Sequence, residues 1–240
     1  MKIFKFFLYA MLTMPAFPAA QEKVIVNDKY AQQREAGSFS EISVSGSIDL
    51  YLSPDEHQVV VVSARDESLR DRIITRVNGN TLEISFNSKG MGIKSDMRLK
   101  AYVSFSRLNK LTASGSSDVF VNGVIKSEKL DVHINGSSDF NGALDVNLLD
   151  LHQSGSSDSK ISGRAGVVKV HLSGASDIKA FDLNTDICEV NASGASDVSI
   201  TVQKELYVHA TGASDVRYKG KGTVKESKTS GASSIKWVDD

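Results

Sequence analysis

Apolar and polar residues alternate through most of this chain. Leu130, Val132 and Ile134 are each separated by one residue, and the same spacing holds for Val168, Val170 and Leu172, for Cys188, Val190 and Ala192, and for Leu206, Val208 and Ala210. A period of two sends one side of an extended segment into a core and the other into solvent, so these runs predict half-buried strands rather than helices. Every run ends on a glycine. Gly115-Ser116-Ser117-Asp118 returns as Gly136-Ser137-Ser138-Asp139 and Gly155-Ser156-Ser157-Asp158. It continues as Gly174-Ala175-Ser176-Asp177, Gly194-Ala195-Ser196-Asp197 and Gly212-Ala213-Ser214-Asp215. A seventh copy, Gly231-Ala232-Ser233-Ser234, lacks the aspartate. Successive glycines lie 21, 19, 19, 20, 18 and 19 residues apart, a spacing that a serine-rich linker would not keep.

After each tetrapeptide the apolar pattern resumes, at Val119, Phe140, Ile178, Val198, Val216 and Ile235, with Ser159 the exception. A second turn signal often follows, in Asn122-Gly123, Asn141-Gly142, Ser162-Gly163 and Lys219-Gly220. Short strands and turns at a period near 19 residues describe one coil of a solenoid, in which stacking joins the apolar sides of successive coils into a continuous core. The expected fold is therefore all-β: a single-stranded, right-handed β-helix or β-solenoid. At about 4.8 Å per rung, seven rungs form a rod of roughly 30–35 Å. A sandwich of hairpins would not need the same turn on every passage, and propeller blades are about twice as long.

Stacking gives each position of the tetrapeptide a job. The expected corner residues are Gly115, Gly136, Gly155, Gly174, Gly194 and Gly212, which tolerate positive φ and the close approach of the next coil. Serine two places on can bond backbone groups or form a hydroxyl ladder. Asp118, Asp139, Asp158, Asp177, Asp197 and Asp215 are read as structural turn groups that accept backbone N–H bonds, since bare carboxylates at this spacing repel.

Residues 39–110 are strand-rich but irregular, and residues 111–240 hold the regular repeats. Phe39-Ser40-Glu41-Ile42-Ser43-Val44-Ser45-Gly46 reads as a degenerate first corner. Val59 to Val62 predict a strand buried on both faces, Ser68 to Ile74 a short helix or helical turn, and Asn78-Gly79-Asn80 a hairpin between Ile73–Val77 and Leu82–Phe86. Asn87 to Asp96 reads as a loop, with strand resuming over Met97–Val103. These broader strands are expected to cap the solenoid entrance, and Trp237 with Val238 to shield its last rung.

The first twenty residues do not belong to this pattern. Lys2 and Lys5 precede an apolar run from Phe6 to Phe17 and then Pro18-Ala19-Ala20, the layout of a secretory signal peptide. The run is shorter than the about 20 apolar residues of a membrane crossing, so the mature chain is expected to carry no transmembrane segment. Residues 1–20 are thus read as a signal, 21–38 as an N-terminal extension and 39–240 as one solenoid domain. Export places the protein in the periplasm, on the outer cell surface or outside the cell.

Composition narrows the chemistry. The formal net charge is −1, and −3 once Lys2 and Lys5 are removed, which gives no basic footprint for nucleic acid. One cysteine, Cys188, excludes an intramolecular disulfide and four-thiolate metal sites. It shares its repeat position with Leu130, Leu149, Val168 and Leu206, so it is expected in the core.

The chain resembles the auto-transporter adhesin family with the “head GIN” domain, found in exported proteins of Bacteroidetes and related bacteria. The resemblance rests on Phe39-Ser40-Glu41-Ile42 with Gly46, on the strand–turn–strand around Leu82-Glu83-Ile84, and on the Gly-Ser-Ser-Asp copies from Gly115 onward. It implies a β-helical domain at the envelope or outside the cell and carries over no catalytic residues. With no long passenger and no room for a C-terminal barrel, self-export through the outer membrane is not expected.

Four of the five histidines, His133, His152, His171 and His209, occupy one outward repeat position, which Thr112, Asn191 and Lys228 fill in other coils. Neighbouring rungs bring such side chains within about 5 Å, close enough to share a transition metal. Without an acidic residue or cysteine fixed beside them, they read as an exposed polar ladder. A calcium role for the aspartates is disfavoured, because β-roll calcium sites use glycine-rich nonapeptides. No Gly-x-Ser-x-Gly elbow is present. The expected function is a non-catalytic, adhesin-like binding module at the cell envelope or surface, with no cofactor and with a surface glycan or protein as partner. A self-associating envelope protein, and more remotely a carbohydrate-active β-helix enzyme, are the alternatives.

Overall fold

The computed structural model describes residues 28–91 and 96–239. The signal-peptide reading and the start of the N-terminal extension fall outside the described residues. In chain order the strands are β1 Gln32–Arg34, β2 Glu41–Ser45, β3 Asp49–Pro54 and β4 Val59–Ser63, then helix α1 Glu67–Arg70. They continue with β5 Ile73–Asn78, β6 Thr81–Phe86, β7 Lys100–Phe105 and β8 Lys110–Ser114. The regular part comprises β9 Val119–Gly136, β10 Phe140–Gly155, β11 Asp158–Gly174, β12 Asp177–Ala192 and β13 Asp197–Ala210. It closes with β14 Asp215–Lys219, β15 Thr223–Thr229 and β16 Ser234–Trp237. Among the described residues no helix is long and apolar enough to cross a membrane.

The fold is an all-β, right-handed solenoid of parallel coils about 19 residues long. Each of β9 to β13 runs through most of one coil and pairs in parallel along its length with the coils before and after it. Leu149 faces Leu130 on one side and Val168 on the other, and Val168 is followed by Cys188 and Leu206. These columns are sealed: Leu130, Leu149, Val168, Cys188 and Leu206 are all 1% exposed or less. Burial, and then the charge of Glu189, push the Cys188 thiol well above its ordinary range, the state of an inert packing residue.

Two polar intruders in the apolar columns meet. Gln153 occupies the column of Ile134 and Leu172, and Ser159 that of Phe140 and Ile178. Ser159 Oγ donates to Gln153 Oε1 at 2.8 Å. Gln153 Nε2 donates to the carbonyl oxygens of Ser157 and Asp177. Both side chains are buried, and each departure from the pattern supplies the other's hydrogen bond.

The N-terminal coils do not stack in chain order. Strand β2 lies between β6 and β8, with Ile42 opposite both Leu82 and Leu111. Strand β3 lies between β7 and β9, with Leu50 opposite Ala101 and Val119. The coil that comes first in sequence is therefore inserted between the next two. Beyond it the parallel stack ends in antiparallel strands: β4 on β7, β1 on β4, and β5 on β6. The hairpin at Gly79 and the helical turn at Glu67–Arg70 are present, the latter capped by Asp66 Oδ1 accepting the Leu69 N–H at 2.9 Å.

Two sequence expectations are corrected. The Val59–Val62 run is not buried on both faces: Val60 and Val62 are in the core while Val59 and Val61 are half-buried, because β4 lays only one face on the core. Trp237 does not close the last rung. It takes the inward column of Ile200 and Tyr218, but the residue is 53% exposed, its Nε1 donating to Gly220 O at 3.3 Å.

Candidate functional site

The corners set the geometry of both flanks. Gly136, Gly155, Gly174, Gly194 and Gly212 have φ between 81° and 91°. A Cβ at Gly155 would stand 2.3 Å from the carbonyl oxygen of Gly136 on the rung beneath, and one at Gly174 2.4 Å from that of Gly155. Gly115 differs, since its nearest neighbour, Gly46 N, is 3.5 Å away. From Ser117 to Ser214 the third residue of each corner is a serine that turns inward and is fully buried. Ser157 Oγ donates to Gly136 O and Ser154 O, and Ser176 and Ser196 repeat the pattern one coil up.

The corner aspartates lie along one outward edge. The Oδ1 of Asp118 accepts the backbone N–H of Asp139 at 3.1 Å, and Asp139 Oδ1 that of Asp158 at 2.9 Å. Higher up, Asp158 meets Lys179 at 3.3 Å, Asp197 meets Arg217 at 3.4 Å and Asp215 accepts from Ser234 Oγ at 2.6 Å. Asp177 continues the column between Asp158 and Asp197. At the lower end stands a carboxylate that sequence reasoning passed over, Asp49 of Gly46-Ser47-Ile48-Asp49. Burial, with added repulsion from Asp118, raises the Asp49 carboxyl above its ordinary value. Burial and the charge of Asp139 raise that of Asp118.

Two residues beyond this edge, on the same outward face, runs a second column. It begins with Tyr102, Tyr51 and Phe120 on three successive rungs and continues through Asn141, Lys160 and Lys179. The three rings are stacked: Tyr51 lies 5.0 Å from Tyr102 at 18° and 5.3 Å from Phe120 at 21°. Phe120 is exposed. Burial first, and then nearby carboxylates, push both tyrosine phenols above their ordinary values, so they stay protonated donors. The rings are far apart in sequence, and only the interleaved coil order brings them together.

The opposite flank carries the histidines. His133, His152, His171 and His209 share one column with Thr112, Asn191 and Lys228. The imidazoles of His133 and His152 stack at 4.6 Å and 4°, and those of His152 and His171 at 4.6 Å and 13°. His209 is set apart by Asn191 and meets Glu226 Oε1 at 3.2 Å. The reading that no acidic residue stands beside this ladder is overturned. Asp131 and Asp150, two residues before His133 and His152, project from the same strand face. His133 Nε2 lies 2.8 Å from Asp131 Oδ1, and His152 Nε2 and His171 Nε2 lie 3.0 and 3.8 Å from Asp150 Oδ1. The sequence signal was an Asp-x-His repeat at 131–133 and 150–152. The column borders an open groove of about 560 Å³ also lined by Asn135, Ser154 and Ser193.

Comparison with known proteins agrees with this architecture. Residues 38–222 match the family model described as “Putative auto-transporter adhesin, head GIN domain”. A crystal structure of a “putative adhesin” from Bacteroides fragilis superposes with a TM-score of 0.78 at 21% identity, covering 87% of this chain and 96% of that one. A “putative adhesin” from Parabacteroides merdae gives 0.70 at 19% identity, covering 87% and 95%. A “putative lipid binding protein” from Parabacteroides distasonis gives 0.68 at 20% identity, covering 89% and 98%. At these identities the structures speak for the fold. No curated protein matches the chain.

Proposed function

Because the chain belongs to the auto-transporter adhesin, head GIN domain family, we propose that it is an exported, non-catalytic binding module of the cell envelope or surface. Its contact surface is the aromatic strip of Tyr102, Tyr51 and Phe120, and its partner is a surface glycan or protein. The observation that carries this reading is the strip itself. Outward positions of a solvated sheet are normally polar, yet three consecutive rungs place stacked rings there, with Phe120 exposed. Stacking fixes the rings before a ligand arrives, so little side-chain entropy is lost on contact. The Tyr51 phenol supplies a directed hydrogen bond at the rim of an apolar surface, a pairing common in recognition sites, while the Tyr102 phenol is held by Asp28. The export reading is supported by Lys2, Lys5 and the apolar run that follows, and by the family membership.

The test is a binding screen of residues 21–240 against a glycan array and a panel of extracellular-matrix proteins, repeated with Phe120→Ser and Tyr51→Ser/Phe120→Ser. The expected result is a retained ligand whose affinity falls at least about tenfold in the double variant while the melting profile stays cooperative. A ligand held equally well by the double variant would place the contact elsewhere, and no retained ligand in either panel would overturn the reading.

A further inference from the structure

We propose that the histidine flank is a binding site for one divalent transition-metal ion of the zinc class, centred on His152. Asp131, His133 and His152 form one ligand set and Asp150, His152 and His171 another, the donor atoms of each lying within 4.8 Å of one another. Both sets offer two imidazoles and one carboxylate, which suits zinc and its neighbours in the first transition row and not calcium or magnesium.

The spacing between carboxylate and imidazoles is close to that of a formed site. A tetrahedral ion with bonds of about 2.1 Å holds its ligand atoms about 3.4 Å apart. The Nε2–Oδ1 separations are 2.8 Å for His133–Asp131, 3.0 Å for His152–Asp150 and 3.8 Å for His171–Asp150. The imidazole planes are stacked 4.6 Å apart and nearly parallel, so two neighbouring rings must tilt toward each other about their side-chain bonds before both Nε2 lone pairs meet one ion. The strands hold the rings in register on both sides, and the entropy of ordering the ligands is therefore largely spent in folding.

A second observation points to a cation. Asp131 Oδ1 and Asp150 Oδ1 are shielded from solvent and accept no hydrogen bond. The imidazole Nε2 atoms of His133 and His152 stand 2.8 and 3.0 Å from them. A carboxylate oxygen shut off from water is costly unless positive charge faces it, and an ion lying between it and the imidazoles supplies that charge. Because His152 belongs to both sets, the two are mutually exclusive and the stoichiometry is one ion per chain. Three protein ligands leave a coordination position open toward the polar groove, where a carboxylate or imidazole from a bound molecule can complete the sphere.

The experiment titrates tag-free residues 21–240 with zinc in competition with a chromophoric chelator, and follows cobalt substitution by its visible ligand-field bands. The wild type is expected to bind one ion. His152→Ala is expected to weaken binding at least about 100-fold, His209→Ala to leave it unchanged, and His133→Ala/His171→Ala together to match His152→Ala, while either single change leaves one set intact and weakens binding less. His152→Gln, which keeps the bulk of the ring, guards against a packing effect and should lose binding equally. Failure of the wild type to bind zinc or cobalt at 1:1 would overturn the proposal. So would retention of wild-type affinity by both His152 variants. The metal flank and the aromatic strip lie on separate columns, so this outcome is independent of the binding screen above.

Discussion

Within the tetrapeptide, each side chain is fixed by its distance to the rung beneath. At Gly155 the obstacle is a backbone carbonyl 2.3 Å from any added Cβ, on top of a φ of 91°, and neither can relax without parting two coils. Gly155→Ala and Gly174→Val are therefore expected to cost about 3–5 kcal/mol or to prevent folding. Gly79→Ala, where nothing lies within 4 Å of the new Cβ, should cost only about 1–2 kcal/mol for its left-handed backbone. Denaturant melts of the series check this, and equal losses at Gly79 and Gly155 would contradict it. Asp118 gives a pH test. Its folded carboxyl is raised above the ordinary value, by burial before all else and also by Asp139, with Asp49 on its other side and Lys100 beyond. A raised carboxyl makes the folded state the better proton binder, so its ionised form weakens the fold. That loss is absent below the unfolded value and grows as pH rises through the folded one. Asp118→Asn keeps an oxygen to accept the Asp139 N–H and removes the charge. It is expected to raise the melting temperature at pH 7 by on the order of 2 °C, with no gain below about pH 3.5. A gain that persisted in acid would show that charge is not the cause. Repetition is what marks the corner residues in the sequence. Asp131 and Asp150 were not singled out, because only two coils carry the Asp-x-His pattern: Lys169 and Tyr207 take the aspartate's place in two of the coils above, and Glu189 is followed by Asn191 where the histidine would stand.

Along a strand, the alternation of apolar and polar residues names the core columns, and its exceptions are as informative as its rule. Ser159 stands out as a polar residue in an apolar column. Its partner Gln153 sits in the strand before the corner, and only the folded coil reveals that the two are bonded. Ser159→Val alone strips Gln153 Oε1 of its donor inside the core, and Gln153→Leu alone strips the Ser159 hydroxyl of its acceptor. Each single change is expected to cost about 1–3 kcal/mol. The double change restores the columns of Ile134, Leu172, Phe140 and Ile178, and should be close to neutral or stabilising. A double-mutant cycle measured by denaturant unfolding would therefore show a coupling of about 1 kcal/mol or more. Additive losses would mean that the pair makes no mutual contribution. The four-valine run shows the opposite limit of pattern reading: β-branched residues favour a strand but do not say whether its second face is covered.

Across the whole molecule, the solenoid and its repeat length are legible in the sequence because every coil must satisfy the same neighbours above and below. The stacking order of the first coils is not, since Ile42 and Leu50 can face any apolar rung and only tertiary packing inserts them between Leu82 and Leu111 and between Ala101 and Val119. That insertion builds the aromatic strip, which is why the strip escaped sequence reasoning. The two ends of the stack are also unlike. The N-terminal end finishes in antiparallel β1, β4 and β5, whereas the described residues end at the other side in β15 and β16, parallel to β13 and β14. Val224 and Ile235 are only partly buried there, and Trp237 is more exposed still. In a linear array each coil is stabilised by its neighbours, so a terminal coil with one neighbour opens at a lower free energy than an internal one. Lys225, Glu226, Lys228 and Lys236 line this open edge, charges of the kind that discourage strand addition. Hydrogen exchange on the monomer should show amides of residues 223–237 exchanging at least about tenfold faster than those of β10 to β12, a gap of about 1.4 kcal/mol. If instead the last coil is protected as strongly as the middle of the rod, and loses that protection on dilution, a second copy covers this end and the protein works as a dimer.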